Sequence, residues 1–543
     1  MDAANGNGGT AVGTPVTEEG LRLTTPVRPR VAAGEVVDAL RTLPLEEAVG
    51  ELAARYWDAA FEVLSCATCS GAVPAARMPV RTVGVYYFRF SLGGIERVAR
   101  ELMLLWQRMG YDVVLITDDA PAENDQPLPF GVKRAYVPGW RSHLCGGYPE
   151  RARALAGVLK AYSIDLLVYH EWMGLAMPWD ALLAKLLGIT FIVHAHGTFS
   201  SLAGYGGARH CALAPCYAFA DGVACLSAVD ERYWGTYNRN AHATPNPLSS
   251  SFADREPARL EKGSTVLWVG RLSKEKHLEE AFEAMRKVVA ELPEARLVLV
   301  GSGPDDYTEQ MRARAEELGL GACVEFAGEH TEEEMPSFYQ RADVLLMTTH
   351  LEGYPLVLQE AMAMGVPCVM YDMPYLMLCA DERGLSTVPM GNTSELARSV
   401  VALLSDADLR REAGAAAREH VADVQSFDRT AFWRNMFDAS VTRHNVARDF
   451  DGAADVTDLL LWQAVYDAVG EVQSEREGLI GELGEGVSWL RKQLDIHQAD
   501  LGALKDERDR LQRDLDAVTG SKSYRLGRVL TAPFRLLRSR KEG

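Results

Sequence analysis

From residue 80 onward the chain alternates short apolar runs with amphipathic helical patterns, and after one break the alternation starts again. The segment TVGVYYFRF (82–90) reads as a strand and SLGG (91–94) as a turn. IERVARELMLLWQRMG reads as an amphipathic helix ending at Gly110, and DVVLITD (112–118) as a second strand. DLLVYH (165–170) and TFIVHAH (190–196) supply further strands, with helical stretches between them. The rhythm restarts at STVLWVGRL (264–272) and runs through ARLVLVGSG (295–303), CVEFAGEH (323–330), DVLLMTT (343–349) and VPCVMYD (366–372), again with helices between. Strands that alternate with helices imply βαβ units and parallel sheets, because a parallel partner needs a long crossover. The stretch 242–263 is rich in Pro and Ser and has no period, so it reads as a linker. The expectation is an α/β protein with two Rossmann-like domains, at 76–250 and 251–445.

The flanks differ in kind. Residues 1–30 are rich in Gly, Thr and Pro without a period, and disorder is expected there. Residues 31–75 form a helical accessory segment, with helical spacing that predicts two helices within 34–64. In 453–520, Ile480, Leu483, Val487, Leu490, Leu494, His497, Leu501, Leu504, Arg508, Leu511, Leu515 and Val518 fall at alternating spacings of three and four. That pattern predicts a coiled coil and a homodimer through 480–518, the alternative being a helix docked on the protein's own surface. Residues 521–543 carry seven Lys and Arg against Glu542 alone, interleaved with Tyr524, Leu526, Val529, Leu530, Phe534, Leu536 and Leu537. A basic amphipathic tail of this kind suits an anionic membrane surface; a solvated tail is the alternative.

The formal charge of −19 excludes a general nucleic-acid binder, whose affinity comes from neutralising phosphates. Nine cysteines, scattered and odd in number, fit a reducing compartment. Cys66 and Cys69 form one CxxC without two further ligands at matching spacing, so they read as ordinary helix or loop cysteines. No run of eighteen apolar residues occurs, and the N-terminus lacks a secretory pattern. The expected location is cytoplasmic, peripheral on the inner face of the plasma membrane.

Three stretches carry chemistry. In HLEGYPLVLQEAMAMGVPCV (350–369), Glu352 precedes and Glu360 lies within a helix that is apolar nearly all round. The helical rise puts the two carboxylates roughly 10 Å apart, a span suited to two ends of one sugar nucleotide. Pro355 is placed for the first helical position, and a buried Glu360 needs partners, either ribose hydroxyls or an internal Arg. In VGRLSKEKHLEEAF, Arg271 follows a strand, while Lys274 and Lys276 crowd the start of the next helix. Cations are disfavoured there unless an anion is shared, and a diphosphate fits. Gly93 and Gly94 join a strand to a helix, and Gly301 and Gly303 end a strand, where bare backbone approaches ligands in open α/β sheets. His194 and His196 in VHAHG close a strand at the same edge, either to bond a sugar hydroxyl or as satisfied structural histidines. With no carboxylate ligand nearby in sequence, no metal site is expected. The GxGxxG dinucleotide fingerprint and the Walker motif are both absent from the sequence.

Taken together, GGIERVAREL, VHAHG, VGRLSKEK, LVLVGSGP and EGYPLVLQEAMAMGVP, in that order over about residues 80–440, resemble retaining glycosyltransferase family 4. The particular type suggested is that of bacterial polysaccharide or cell-envelope enzymes. The resemblance implies the GT-B fold: two facing Rossmann-like domains, the acceptor bound mainly by the first and the nucleotide-sugar donor by the second. It implies net retention, a glycan or lipid-linked acceptor, no cofactor and no metal. It gives Arg271 and Lys276 the leaving diphosphate, Glu352 the donor-sugar hydroxyls, Glu360 the ribose, Gly94 the diphosphate loop and His196 the neighbourhood of the donor sugar. Gly93, Gly301, Gly303, Leu356 and Val357 join the donor-binding set. Two departures from the family pattern are His277, where glycine is usual after the lysine, and Pro355, which replaces a common glycine. The competing readings are a non-catalytic GT-B scaffold dimerised by the coil, and a sugar phosphorylase or sucrose-synthase-like enzyme.

Overall fold

The computed structural model describes residues 31–448, except 58, 92, 120–124, 141–146, 171–173, 199–212, 214–215, 236–237, 253–254, 259–262 and 380–382, together with 505, 508, 510–513 and 516. The expected disordered 1–30 and basic tail 521–543 lie outside the described residues, as does most of the expected coiled coil. Residues 471–543 form a compact unit of their own. Its described residues are helical, and Leu511 there is exposed.

Three helices open the chain: α1 (Ala33–Thr42), α2 (Leu45–Arg55) and α3 (Ala60–Cys69). Two were expected, but Pro44 ends one helical run and the irregular residues 56 and 57 end the next. Nor is the segment an appendage. Val36, Val49, Leu52, Val63 and Leu64 belong to one core with Tyr169, Trp179 and Phe191 of the domain that follows.

That domain is a seven-stranded parallel sheet in the order β3-β2-β1-β4-β5-β6-β7. The strands are β1 (Thr82–Tyr86), β2 (Asp112–Asp118), β3 (Lys133–Val137), β4 (Leu166–Tyr169), β5 (Thr190–His194), β6 (Gly222–Cys225) and β7 (Ala241–Ala243). Strands β1, β4, β5 and β6 are buried along their whole length, as expected for strands covered on both faces. Helices α4 (Gly94–Arg108), α5 (Tyr148–Ala161), α6 (Met177–Leu186) and α7 (Ala228–Gly235) alternate with the strands. On α4, Val98, Ala99, Leu102, Met103 and Trp106 are buried at spacings of one, three and four, which is the stripe an amphipathic helix turns to a sheet.

The second sheet has six parallel strands in the order β10-β9-β8-β11-β12-β13. Its strands are β8 (Thr265–Val269), β9 (Arg296–Val300), β10 (Val324–Gly328), β11 (Val344–Met347), β12 (Cys368–Tyr371) and β13 (Leu385–Val388). Its helices are α8 (Leu278–Glu291), α9 (Asp305–Glu317), α10 (Met335–Arg341), α11 (Leu356–Ala363), α12 (Thr393–Ser405) and α13 (Ala407–Gln425).

The last described helix of this part, α14 (Arg429–Arg448), runs across the expected boundary at 445. It crosses back to the first domain, where Trp433, Met436 and Phe437 pack with Val83, Val85, Leu166 and Ile192. The two crossings are tied together: Gln425 bonds Leu248 N–H and Asn246 carbonyl, and Arg429 donates to the Pro245 and Asn246 carbonyls. Of the expected linker 242–263, His242 and Ala243 still belong to β7. Among the described residues no helix is long and apolar enough to cross a membrane.

Candidate active site

The residues that follow β1, β8, β9, β10 and β11 face one cleft of about 930 Å³ between the two sheets. Its walls carry Gly93, Gly94, Arg271, Lys276, Gly301, Gly303, Glu352, Leu356, Val357 and Glu360. Thus the two cations and two carboxylates that lie far apart in sequence meet at one opening. His196 is the expected site residue that does not line it.

The second domain presents its charges from two adjoining loops. Lys276 sits in the turn before α8, and its carbonyl accepts from Thr348 Oγ1 at 3.0 Å. Trp268 Nε1 in turn donates to Thr348 Oγ1 at 3.2 Å, which anchors the Lys276 turn to the β11 loop. Lys276 Nζ lies 2.5 Å from Glu352 Oε1. Arg271 is exposed at the exit of β8. Lys274 is exposed too, but it does not line the cleft.

Helix α11 aims its first turn at the same opening. Pro355 occupies the position just before the helix, one residue earlier than expected. The first intrahelical bond is donated by Leu358 to the Pro355 carbonyl, so the N–H groups of Leu356 and Val357 precede the hydrogen-bond ladder. Buried Glu360, farther along, has two partners. Arg97 Nη1 of α4 reaches its Oε1 at 2.6 Å, and Tyr339 donates to its Oε2 at 2.7 Å. Burial pushes the Glu360 carboxyl above its ordinary range, with Arg97 and Tyr339 opposing. The internal arginine allowed by the sequence is therefore present, but it comes from the other domain. Arg100 likewise reaches Glu332 at 3.4 Å across the interface.

The glycines have local reasons as well. At Gly301, with φ of 139°, an added Cβ would stand 1.9 Å from the Gly270 carbonyl, and at Gly303 one would stand 2.1 Å from the Leu272 carbonyl. These residues let the β8 and β9 exits touch, so a packing role stands beside the expected ligand role. Gly93 caps α4 while the Glu96 carboxylate folds back beneath it, bound by Arg89 at 2.9 Å. Burial raises the Glu96 carboxyl.

His196 belongs to a histidine cluster at the ends of β4 and β5. His170 Nδ1 and His196 Nε2 are 2.7 Å apart, and the His194 ring packs against both. Burial drives all three imidazoles down in pKa, His194 to about 3. His196 therefore stands as a neutral ring, and its backbone carbonyl abuts Gly353, next to Glu352. His277 keeps the backbone that glycine would favour, at φ 49° and ψ 48°. The departure from the family pattern thus leaves the turn left-handed.

Sequence reasoning passed over Arg97, Glu332, Tyr339 and Trp268. Arg97 was within reach: a cation in the first turn of α4 poses the same question as Lys276 before α8.

Two parallel α/β domains with a cleft at their strand ends define the GT-B class of architecture. Residues 92–250 match the family described as Glycosyltransferase Family 4, and residues 250–420 match Glycosyl transferases group 1. The chain is 31% identical over 219 residues to an exopolysaccharide phosphotransferase of Streptomyces coelicolor, covering 39% of this chain and 22% of the relative. It is 32% identical over 177 residues to a poly(glycerol-phosphate) alpha-glucosyltransferase of Bacillus subtilis, covering 32% of this chain and 24% of the relative. The chain therefore spans less than a quarter of either of these two relatives. Among solved structures, Anabaena HepE in complex with UDP and glucose superposes with a TM-score of 0.53 at 16% identity, covering 65% of this chain and 99% of that one. These matches support the GT-B glycosyltransferase family for this chain.

Proposed function

We propose that this chain is a retaining glycosyltransferase that moves a sugar from a nucleotide-sugar donor to a glycan or lipid-linked acceptor in cell-surface polysaccharide synthesis. One observation carries the reading: Arg271, Lys276, Glu352 and Glu360 share the wall of a cleft large enough for a sugar diphosphate. The names of the two relatives, one exopolysaccharide and one poly(glycerol-phosphate), favour a surface-polymer acceptor. The UDP held by the Anabaena protein makes a UDP-sugar the first donor to try.

In this mechanism the donor C1–O bond loosens toward an oxocarbenium-like state. Arg271, Lys276 and the N–H groups of Leu356 and Val357 stabilise the charge that grows on the departing diphosphate. The acceptor hydroxyl attacks from the same face and passes its proton to the leaving phosphate oxygen. Glu352 exchanges its bond with Lys276 for donor-sugar hydroxyls. Glu360, already held by Arg97 and Tyr339, offers its remaining lone pairs to the ribose. The reaction requires no Mg²⁺, so withholding Mg²⁺ leaves turnover unchanged. His196 supports the sugar-facing loop through its carbonyl against Gly353. A membrane-bound acceptor is met through 521–543, and the chain pairs through 480–518.

A panel of UDP-, GDP-, ADP- and TDP-sugars, read by thermal shift and by donor hydrolysis, tests the proposal. One donor class should raise the melting temperature and be turned over. Absence of both signals across the panel would favour the non-catalytic scaffold.

A further inference from the structure

The first domain brings a cation of its own to the cleft. Arg89 follows β1 and lines the opening on the first-domain side, whereas Arg271 and Lys276 line it from the second. Its side chain is 48% exposed, yet it is held in place. Nε donates to Glu96 Oε1 at 2.9 Å, and the Glu96 side chain is only 1% exposed. Ser91 Oγ donates to the same oxygen at 3.4 Å. The guanidinium carbon of Arg89 stands 5.0 Å from the centroid of the Phe88 ring. Among the described residues, its Nη1 and Nη2 have no hydrogen-bond or ion-pair partner. Arg97, also on this wall, is instead committed through Nη1 to Glu360.

An arginine carries five N–H donors in a planar fork, and Glu96 takes one of them. The buried carboxylate and the ring fix the fork before any ligand arrives, so the remaining donors lose little freedom on binding. Such a fork matches the paired oxygens of a phosphate or a carboxylate. In the proposed mechanism the donor diphosphate is met on the second domain by Arg271, Lys276 and the first turn of α11, which leaves Arg89 for another anion. Around these cations the cleft is acidic: Glu329, Glu332 and Glu352 line it, and the chain as a whole carries −19. An anionic molecule entering on the first-domain side is repelled by that field unless a cation meets it there.

We propose that Arg89 reads the acceptor: it binds a phosphate or carboxylate group on the acceptor molecule and so selects acidic acceptors over neutral ones. Glu96 and Phe88 are positioning residues that hold the fork. The inference rests on the glycosyltransferase reading, which is what gives the cleft an acceptor.

The test is calorimetric titration of the full-length chain, first with UDP, GDP, ADP and TDP. At saturating nucleotide the chain is then titrated with glycerol 3-phosphate and glucuronate, and with their neutral counterparts glycerol and glucose. The first titration reads the donor site by itself. If no nucleotide binds, the donor reading fails, and the second titration is run on the nucleotide-free chain, where it still reads Arg89. At least one anion should bind beside the nucleotide, and its neutral counterpart about tenfold more weakly or worse. Which anion binds separates a phosphate-bearing acceptor from a carboxylate-bearing one. Arg89→Met, which keeps the stem beside Phe88, should weaken anion binding by roughly 10–100-fold and leave nucleotide affinity unchanged. Glu96→Gln should weaken anion binding less, because the fork keeps its charge and loses only its brace. Should circular dichroism show that Arg89→Met does not fold, Arg89→Gln takes its place. The proposal is overturned if the wild type binds neither anion, if the neutral counterparts bind as well as the anions, or if Arg89→Met keeps wild-type anion affinity. It is equally overturned if Arg89→Met weakens nucleotide binding as much as anion binding, which would assign Arg89 to the donor diphosphate.

Discussion

Two sets of charges sit inside this molecule and differ in what lies beyond them. In the first domain Arg151 is fully buried and holds Asp180 at 2.6 Å and Asp118 at 2.8 Å. Tyr148 and Tyr169 donate to the two oxygens of Asp180, and Tyr86 donates to Asp118 Oδ1 beside Arg151. At the cleft, Lys276 holds Glu352 and Arg97 holds Glu360 with bonds just as short, and all four line the opening, with Lys276, Glu352 and Arg97 partly exposed and Glu360 buried in the wall. The sealed network is closed off by burial, and its partners fix the packing of β2, α5 and α6. In the proposed mechanism only the Lys276–Glu352 pair is provisional, because a diphosphate and sugar hydroxyls would offer the same bonds. Burial makes a charge structural; access makes it available for chemistry.

The sharpest way to break the comparison is to cut the sealed network. Asp180→Ala leaves Arg151 buried beside a vacated site and should cost about 3–5 kcal/mol of stability. Denaturant melts measure this, and donor affinity of the folded fraction should be unchanged. A donor-binding defect without lost stability would erase the distinction. Lys276→Ala should do the opposite. Turnover should fall about 10²–10³-fold, roughly 2.7–4 kcal/mol of transition-state stabilisation, while the melting temperature hardly moves. A near-normal rate would remove Lys276 from the mechanism.

The histidine cluster at the ends of β4 and β5 is kept neutral by burial. His194 has a folded pKa of about 3 against roughly 6.5 in an unfolded chain. Between those values the unfolded state takes the proton and the native state does not, so stability falls as pH drops below 6.5. At pH 5 this one residue should cost about 2 kcal/mol relative to neutral pH. His170 and His196 shift in the same direction. Melts at pH 7.5 and 5 should show the loss, and His194→Asn should flatten it. The smallest effect belongs to Glu360→Gln, which keeps the shape but weakens the bond to Arg97. Donor dissociation is expected to rise about tenfold, near 1.4 kcal/mol, with kcat little changed; an unaltered dissociation constant would show that Glu360 only braces the interface.

The legible part of the fold follows from strand chemistry. β1, β4, β8 and β11 are short apolar runs between helices, and their complete or near-complete burial in parallel sheets produced the pattern. β3, β6, β7 and β13 were passed over. β3 carries exposed Lys133 and Tyr136, β6 and β7 are only four and three residues of small or polar side chains, and β13 mixes Ser and Thr into its run. Strands this short, or with polar residues at a sheet edge, carry too little periodicity to stand out. The accessory reading of 31–75 missed its partners because the cluster that buries Val36, Val49 and Val63 draws on residues of the following domain as far along the chain as Tyr169, Trp179 and Phe191.

For the site, residue type and position beside strand ends marked Arg271, Lys276, Glu352 and Glu360, because each is a charge placed where the local helix or burial makes it costly without a ligand. Those costs are local and can be read along the chain. The Arg97–Glu360 bond spans 263 residues, and the return of α14 to the first sheet joins the two ends of the fold. Such partnerships depend on how two independently patterned sheets face one another. Hydrophobic period and charge cost determine the parts of this protein, and only tertiary packing decides which part meets which.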